Sequence, residues 1–230
     1  MSSLILEPYI VELWEEGDLK GDPRAVAADW EARYSEPGRY HHNAVHIKEG
    51  FEFLKNPDFR AECDNPFFVK ASWPGHDLKV SPGRLIEADE LQSAGEAAVV
   101  YQKAGLGPAE IYIGIVPPIL YTRHSVVVNN PTNDMRAIRD MDLWVLAQPW
   151  PRYEKYASDV AREWIESGQV TIEQFIPGRR DFLRNTFLNR RKGQIYCTNY
   201  CRRNLNDAAI ENVRREISIL ESGRLIQASL

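Results

Sequence analysis

Apolar and polar residues almost never alternate along this chain of 230 residues. Alternation marks a half-buried strand, and only Gln169–Thr171 and Gln194–Cys197 hint at it weakly. Helix signals fill the rest. Asp22-Pro23 and Asn65-Pro66 each set a capping side chain before a proline at the first helical position, where a missing N–H costs nothing. Apolar spacing predicts helices over about 23–35, 41–55, 67–78, 87–105, 109–124, 133–147, 151–166, 171–190 and 206–222. Pro74-Gly75 should bend or unwind the third of these, and Pro117-Pro118 should kink or split the fifth. The expected fold is all-α, a single helical bundle over residues 1–230. A composition 43% hydrophobic and 27% charged suits one domain with a sizeable core, and no linker or repeat divides it.

The longest apolar run, Ile111 to Tyr121, holds Gly114, Pro117 and Pro118 and is too short and broken to cross a bilayer. No basic residue precedes Leu4-Ile5-Leu6, which argues against a signal peptide. Cys63, Cys197 and Cys201 form no disulfide framework, which predicts a reducing, cytoplasmic setting. Cys197 and Cys201 could share a helix face as two small apolar side chains. Net charge is -5, unevenly spread. From Arg179 to Arg203, eight basic residues face one acid, a segment charge of +7 on a remainder of -12. Such a segment could clamp phosphate through Arg179, Arg180 or Lys192, or pair with acids elsewhere as a solvated face. The acidic remainder argues against a general nucleic-acid binder.

Four of the five histidines fall in two strings, Tyr40-His41-His42-Asn43-Ala44-Val45-His46-Ile47 and His76-Asp77. A helix over 41–55 would put His42 and His46 on one face and turn His41 away from it. The adjacent His-Asp pair adds one nitrogen and one carboxylate donor. Mixed ligation of this kind suits a divalent metal that keeps open positions. The set still lacks a partner, for which His124 and the string Asp140-Met141-Asp142-Leu143 are candidates.

This ordered series resembles the HD superfamily of metal-dependent phosphohydrolases, in particular the branch known as predicted metal-dependent HD phosphohydrolases. Tyr40 to Ile47 match a Tyr-His-Asn-x-x-His-Ile element with one extra histidine, and Trp73 to Asp77 loosely match an apolar-Trp-x-His-Asp element. Asp89 to Ala94, Thr122-Arg123-His124 and Asp140 to Leu143 match later elements, so the resemblance spans roughly residues 25–215. It departs at Pro74-Gly75, Lys79, Val80 and Pro117-Pro118.

The resemblance implies an HD-like all-α domain with His46, His76, Asp77 and Asp142 as metal ligands. One or two divalent ions are expected, among Mn, Mg, Zn, Fe and Ni. The string His42-Asn43-x-x-His46 is also similar to cyclic-nucleotide phosphodiesterases, which implies His42 as general acid. Asp77 would hold or bridge the attacking hydroxide, while Glu90 and His124 would line the site. The implied activity is hydrolysis of a small phosphate ester such as a nucleotide. Two alternatives carry different expectations. A di-iron oxygenase would need further histidines, and only His124 is available. A degenerate domain, motivated by Pro74-Gly75, would bind a nucleotide or protein without turnover.

Overall fold

The computed structural model describes residues 4–81, 88–124, 128–189 and 192–226. Among them there is no strand, so the all-α expectation holds. The helices run α1 (Glu7–Glu16), α2 (Pro23–Tyr34), α3 (Ala44–Leu54), α4 (Pro57–Arg60), α5 (Pro66–Ser72), α6 (Asp89–Lys103) and α7 (Pro108–Glu110). They continue as α8 (Val116–Thr122), α9 (Asn133–Asp142), α10 (Trp150–Glu166), α11 (Ile172–Leu183), α12 (Asn199–Asn204) and α13 (Asn206–Glu221). No helix among the described residues is long and apolar enough to cross a membrane.

Both Asx-Pro pairs start helices as expected. Asp22 accepts from the Arg24 N–H to open α2, and Asn65 accepts from the Phe67 N–H to open α5. The two strand hints fail for local reasons. Thr171 caps α11, its hydroxyl accepting from Gln174 N–H, while Cys197 and Thr198 give their N–H groups to Asp140 instead of a ladder. Thr198 also caps α12, so Cys197 lies outside the helix that carries Cys201. α1, which apolar spacing did not signal, buries Tyr9, Ile10, Leu13 and Trp14 along one face.

The proline pair splits its segment one turn earlier than its own position. Ile111–Ile115 form a wide π-helical turn, and Pro117 and Pro118 then sit inside the first turn of α8. Pro118 cannot donate to the Gly114 carbonyl four residues back. The buried Ser72 hydroxyl replaces it, reaching Gly114 O at 3.1 Å and Ile115 O at 3.3 Å. This bond also pins the end of α5 against the π-helical turn.

The segment after Ser72 is a 3₁₀ turn, Trp73–Gly75, so Pro74-Gly75 unwinds the helix as expected. It is buried at the centre of the bundle. Tyr101 donates to Ala71 O at 2.6 Å and Tyr34 to Pro74 O at 2.9 Å, supplying partners to carbonyls that the unwinding strands. Two glycines let the backbone close in. A Cβ on Gly75 would sit 2.8 Å from Ala97 Cβ, and one on Gly50 would sit 2.1 Å from the Trp73 indole. Trp73 is fully buried and has nowhere to move. Gly50→Ala is therefore expected to cost about 1–3 kcal/mol by overpacking, measured by urea unfolding. An unchanged midpoint would show that α3 and Trp73 are not in tight register.

Candidate metal centre

Three segments converge on one point. The first is the start of α3. Asn43 caps this helix, its side-chain oxygen accepting from the Val45 and His46 N–H groups at 2.8 and 3.3 Å. Its amide donates to Tyr40 O at 2.6 Å, which folds Tyr40–Asn43 into a turn ahead of the helix. The expected helix over 41–55 thus begins later, and His42 reaches the site from the turn, not from a shared helix face. His42 and His46 still lie with ring centroids 6.3 Å apart.

The second segment is the turn that follows Gly75. His76 Nδ1 lies 2.7 Å from Trp73 O, so it carries a hydrogen and leaves Nε2 as the position for a proton or a metal. The Trp73 indole stacks on the His76 ring at 4.3 Å and donates to Ile47 O at 2.7 Å. Arg39, buried, donates to Asp77 O at 2.7 Å and Leu78 O at 2.9 Å and reaches His42 O at 3.4 Å. One guanidinium thereby ties the His42 turn to the His76-Asp77 turn. The third segment is the last residue of α9, Asp142.

His46, His76, Asp77 and Asp142 bring one donor atom each to within 4.8 Å of one another, and this group can hold a metal ion. His46 Nε2 lies 3.5 Å from Asp142 Oδ1 and 3.9 Å from Asp77 Oδ2. His76 Nε2 lies 3.0 Å from Asp77 Oδ2 and 3.6 Å from Asp142 Oδ1. His46 Nε2, His76 Nε2 and Asp77 Oδ2 are buried, yet none makes an aligned hydrogen bond. A buried polar atom without a partner is costly. Three such atoms aimed at one another fit a cation in their midst, with two nitrogen and two oxygen donors. The Asp77 and Asp142 side chains keep 16% and 15% exposure, so the cluster opens to solvent on the carboxylate side.

Electrostatics couple the four. Burial alone would lower the pKa of His76, but the Asp77 and Asp142 carboxylates outweigh it and push it up to about 10. Burial opposes ionisation of Asp77 and Asp142 too, and the imidazoles hold both below the usual carboxylate range. A cation must displace the His76 proton to bind.

Beside the cluster, His42 Nδ1 lies 2.7 Å from Glu163 Oε2. The other oxygen of Glu163 accepts from three successive backbone N–H groups, of Tyr40, His41 and His42, at 2.8, 2.7 and 2.9 Å. Burial disfavours the His42 cation, but Glu163 outweighs it, with help from Asp77 and Asp142, and raises its pKa to about 9. Glu163 itself is held below its ordinary range, against burial, by His42 and these N–H groups. His41 gives no donor to the cluster. It is buried with its ring 4.7 Å from both His46 and Tyr156, and burial, with the neighbouring imidazoles, holds it well below the usual histidine range.

The remaining sequence candidates divide. Asp140 is occupied elsewhere, accepting from Cys197 N, Thr198 N and the Thr198 hydroxyl at 2.7–3.0 Å, so the structure brings Asp142 into the cluster and not Asp140. Glu90, half-buried in the first turn of α6, is raised by burial and by the charge of Asp77. His124 packs on Phe182 and Phe187 and bears electrostatically on Asp142.

In the cationic segment, several of the charges meet acids, as the second expectation for it had them. Arg179 is buried and forked onto Glu216, with Nη2 also reaching the Tyr156 hydroxyl. Arg180 pairs with Asp181, Arg184 with Glu221, and Arg203 lies 3.8 Å from Glu62. Lys192 is exposed in a turn with φ 50°, and Arg190 and Arg191 lie outside the described residues.

Glu163 and Arg39 were not signalled as site residues. Glu163 did leave a trace, an acid in register with the buried stripe Tyr153, Tyr156 and Val160 of α10. Arg39 left none, since its partners are carbonyls about forty residues away. Comparison with protein-family models, curated proteins and solved structures finds no match to this chain.

Because His76 must shed a proton, the affinity for Mn or Zn should fall by roughly tenfold per pH unit on going from pH 8 to pH 6. Competition with a chelator of known pH dependence checks this, and a flat profile would show that His76 Nε2 is not a ligand.

Proposed function

We propose that the chain is a metal-dependent phosphohydrolase acting on a small phosphate ester, with the chemistry at the His46–His76–Asp77–Asp142 cluster. The carrying observation is the pairing of an orphaned donor cluster with a charged, oriented imidazole beside it. The likeness of the motif series to the HD superfamily supports the same reading. Two imidazoles and two carboxylates favour Mn, Fe, Ni or Zn over Mg, which prefers all-oxygen sites. When bound, such an ion supplies Lewis acidity toward a phosphoryl oxygen and lowers the pKa of water.

The chain's own residues do the rest. Asp77 and Asp142 are ionised and too weakly basic to take a proton at neutral pH, so they bind and orient. Water attacks phosphorus, the ester P–O bond breaks, and the leaving oxygen needs a proton. His42 holds it. Its Nδ1 is committed to Glu163, so Nε2 carries the proton that is delivered, and solvent restores it from the proton that the water sheds. Glu163 is a positioning residue that fixes the ring and raises its basicity. The Pro74-Gly75 departure, which motivated a non-enzymatic reading, leaves His76 and Asp77 in the cluster.

A panel of phosphate esters assayed with and without added Mn tests this reading. Its failure to release phosphate from any ester would remove the proposal. Where turnover is found, His42→Ala should lower kcat by roughly 10²–10⁴. The protonated acid is the active form, so activity should fall as pH rises past the His42 pKa. That limb should lie at or below about 9, because Glu163, Asp77 and Asp142 favour the imidazolium while a cation in the cluster opposes it. Glu163→Gln should move the limb lower still, by more than about one pH unit. An unmoved limb would assign the acid elsewhere.

A further inference from the structure

α3 carries a groove as well as a metal ligand. His46, Glu49 and Phe53 recur at helical spacing on one face, and Glu49 and Phe53 line an open groove of about 470 Å³ together with Val45, Lys48 and Glu52. The opposite wall is Trp144, two residues beyond Asp142. Along the chain, both sets of lining residues adjoin a cluster ligand, Val45 next to His46 and Trp144 two residues after Asp142. Val45 also lies three residues after His42.

The groove has an aromatic wall. Trp144 is half-buried, its ring 5.9 Å from Phe53 and tilted by 42°, which leaves indole surface along the cavity. Its charges are not balanced. Glu49 is held by a bidentate fork from Arg152, at 2.8 and 2.5 Å, and Glu52 by Lys55 and the Tyr9 hydroxyl. Lys48 adds its charge to that of Lys55 on Glu52, so Lys48, Lys55 and Arg152 outnumber the two acids and leave the groove one positive charge in surplus beside an aromatic face. That combination suits an anion with a flat ring.

We propose that this groove is the subsite for the organic part of the phosphate ester, an aromatic or heteroaromatic group laid along Trp144 with Lys48 facing its anionic end. This inference rests on the cluster being the reaction centre, since it takes the groove as the cluster's continuation. Stacking on an indole is worth roughly 5- to 100-fold in affinity.

Phosphonates test it without turnover, because their P–C bond is not hydrolysed. Phenylphosphonate and cyclohexylphosphonate carry the same charge and the same number of carbons but differ in flatness. Titrated calorimetrically into the Mn-loaded protein, phenylphosphonate should bind at least about fivefold more tightly. Trp144→Ala should abolish that ratio, Trp144→Phe should retain most of it, and Lys48→Gln should weaken both ligands alike. Equal binding of the two ligands by the native chain, or a ratio that survives Trp144→Ala, would overturn the subsite. Metal-dependent hydrolysis alongside equal binding would overturn the subsite alone. Ring discrimination without hydrolysis of any ester would keep the subsite and overturn the reaction.

Discussion

The Trp73 indole is the contact on which the site depends. It bonds to a carbonyl of α3, stacks on His76, and fills the space that Gly50 leaves open. It thereby sets the distance between the helix that carries His46 and the turn that carries His76 and Asp77. Both histidines are almost fully buried, so neither can shift to repair an error in that distance. Arg39 performs the corresponding task on the outer side, gripping carbonyls of the His42 and Asp77 turns. Metal ligands are commonly fixed by such outer contacts, which set both ring orientation and affinity.

A bundle does not gain stability from placing two carboxylates and two imidazoles in its interior. Each is expensive to bury, and they compensate one another only if a proton or a cation lies among them. The raised His76 and depressed Asp77 and Asp142 show the proton in that role. The hydrogen-bonding geometry is nonetheless poor, with buried donor atoms facing one another at 3.0–3.9 Å. Arg179 and Glu216 make the contrast plain. They too are buried and charged, but they meet in an aligned fork with Tyr153 and Tyr156 completing it. That network is closed, whereas the cluster is open.

Local chemistry was legible in the chain, and long-range pairing was not. The Asx-Pro starts of α2 and α5 and the unwinding at Pro74-Gly75 follow from backbone constraints that act within a few residues. His46 and the His76-Asp77 pair stand out by residue type and spacing, whereas the full set with Asp142 is what the resemblance to the HD superfamily implies. Asn43, a strong cap, starts α3 at Ala44, three residues after the start that apolar spacing predicts, so His42 lies in the turn before the helix. The choice between Asp140 and Asp142 turned on N–H groups of residues 197 and 198, which no local pattern reveals. The pairing of Arg179 and Arg184 within residues 179–203 is hidden for a related reason. Net charge along a segment says nothing of the acids that meet it from α13.

The central claim is that the four converging donors hold a metal ion. Elemental analysis of gently purified protein, beside a His46→Ala/Asp77→Ala variant, tests it most directly. The account predicts about one equivalent of a transition metal in the native chain, lost in the variant while the helical circular dichroism is kept. A native chain that stays metal-free even after Mn, Fe, Ni or Zn is supplied, or a variant that retains its metal, would contradict it.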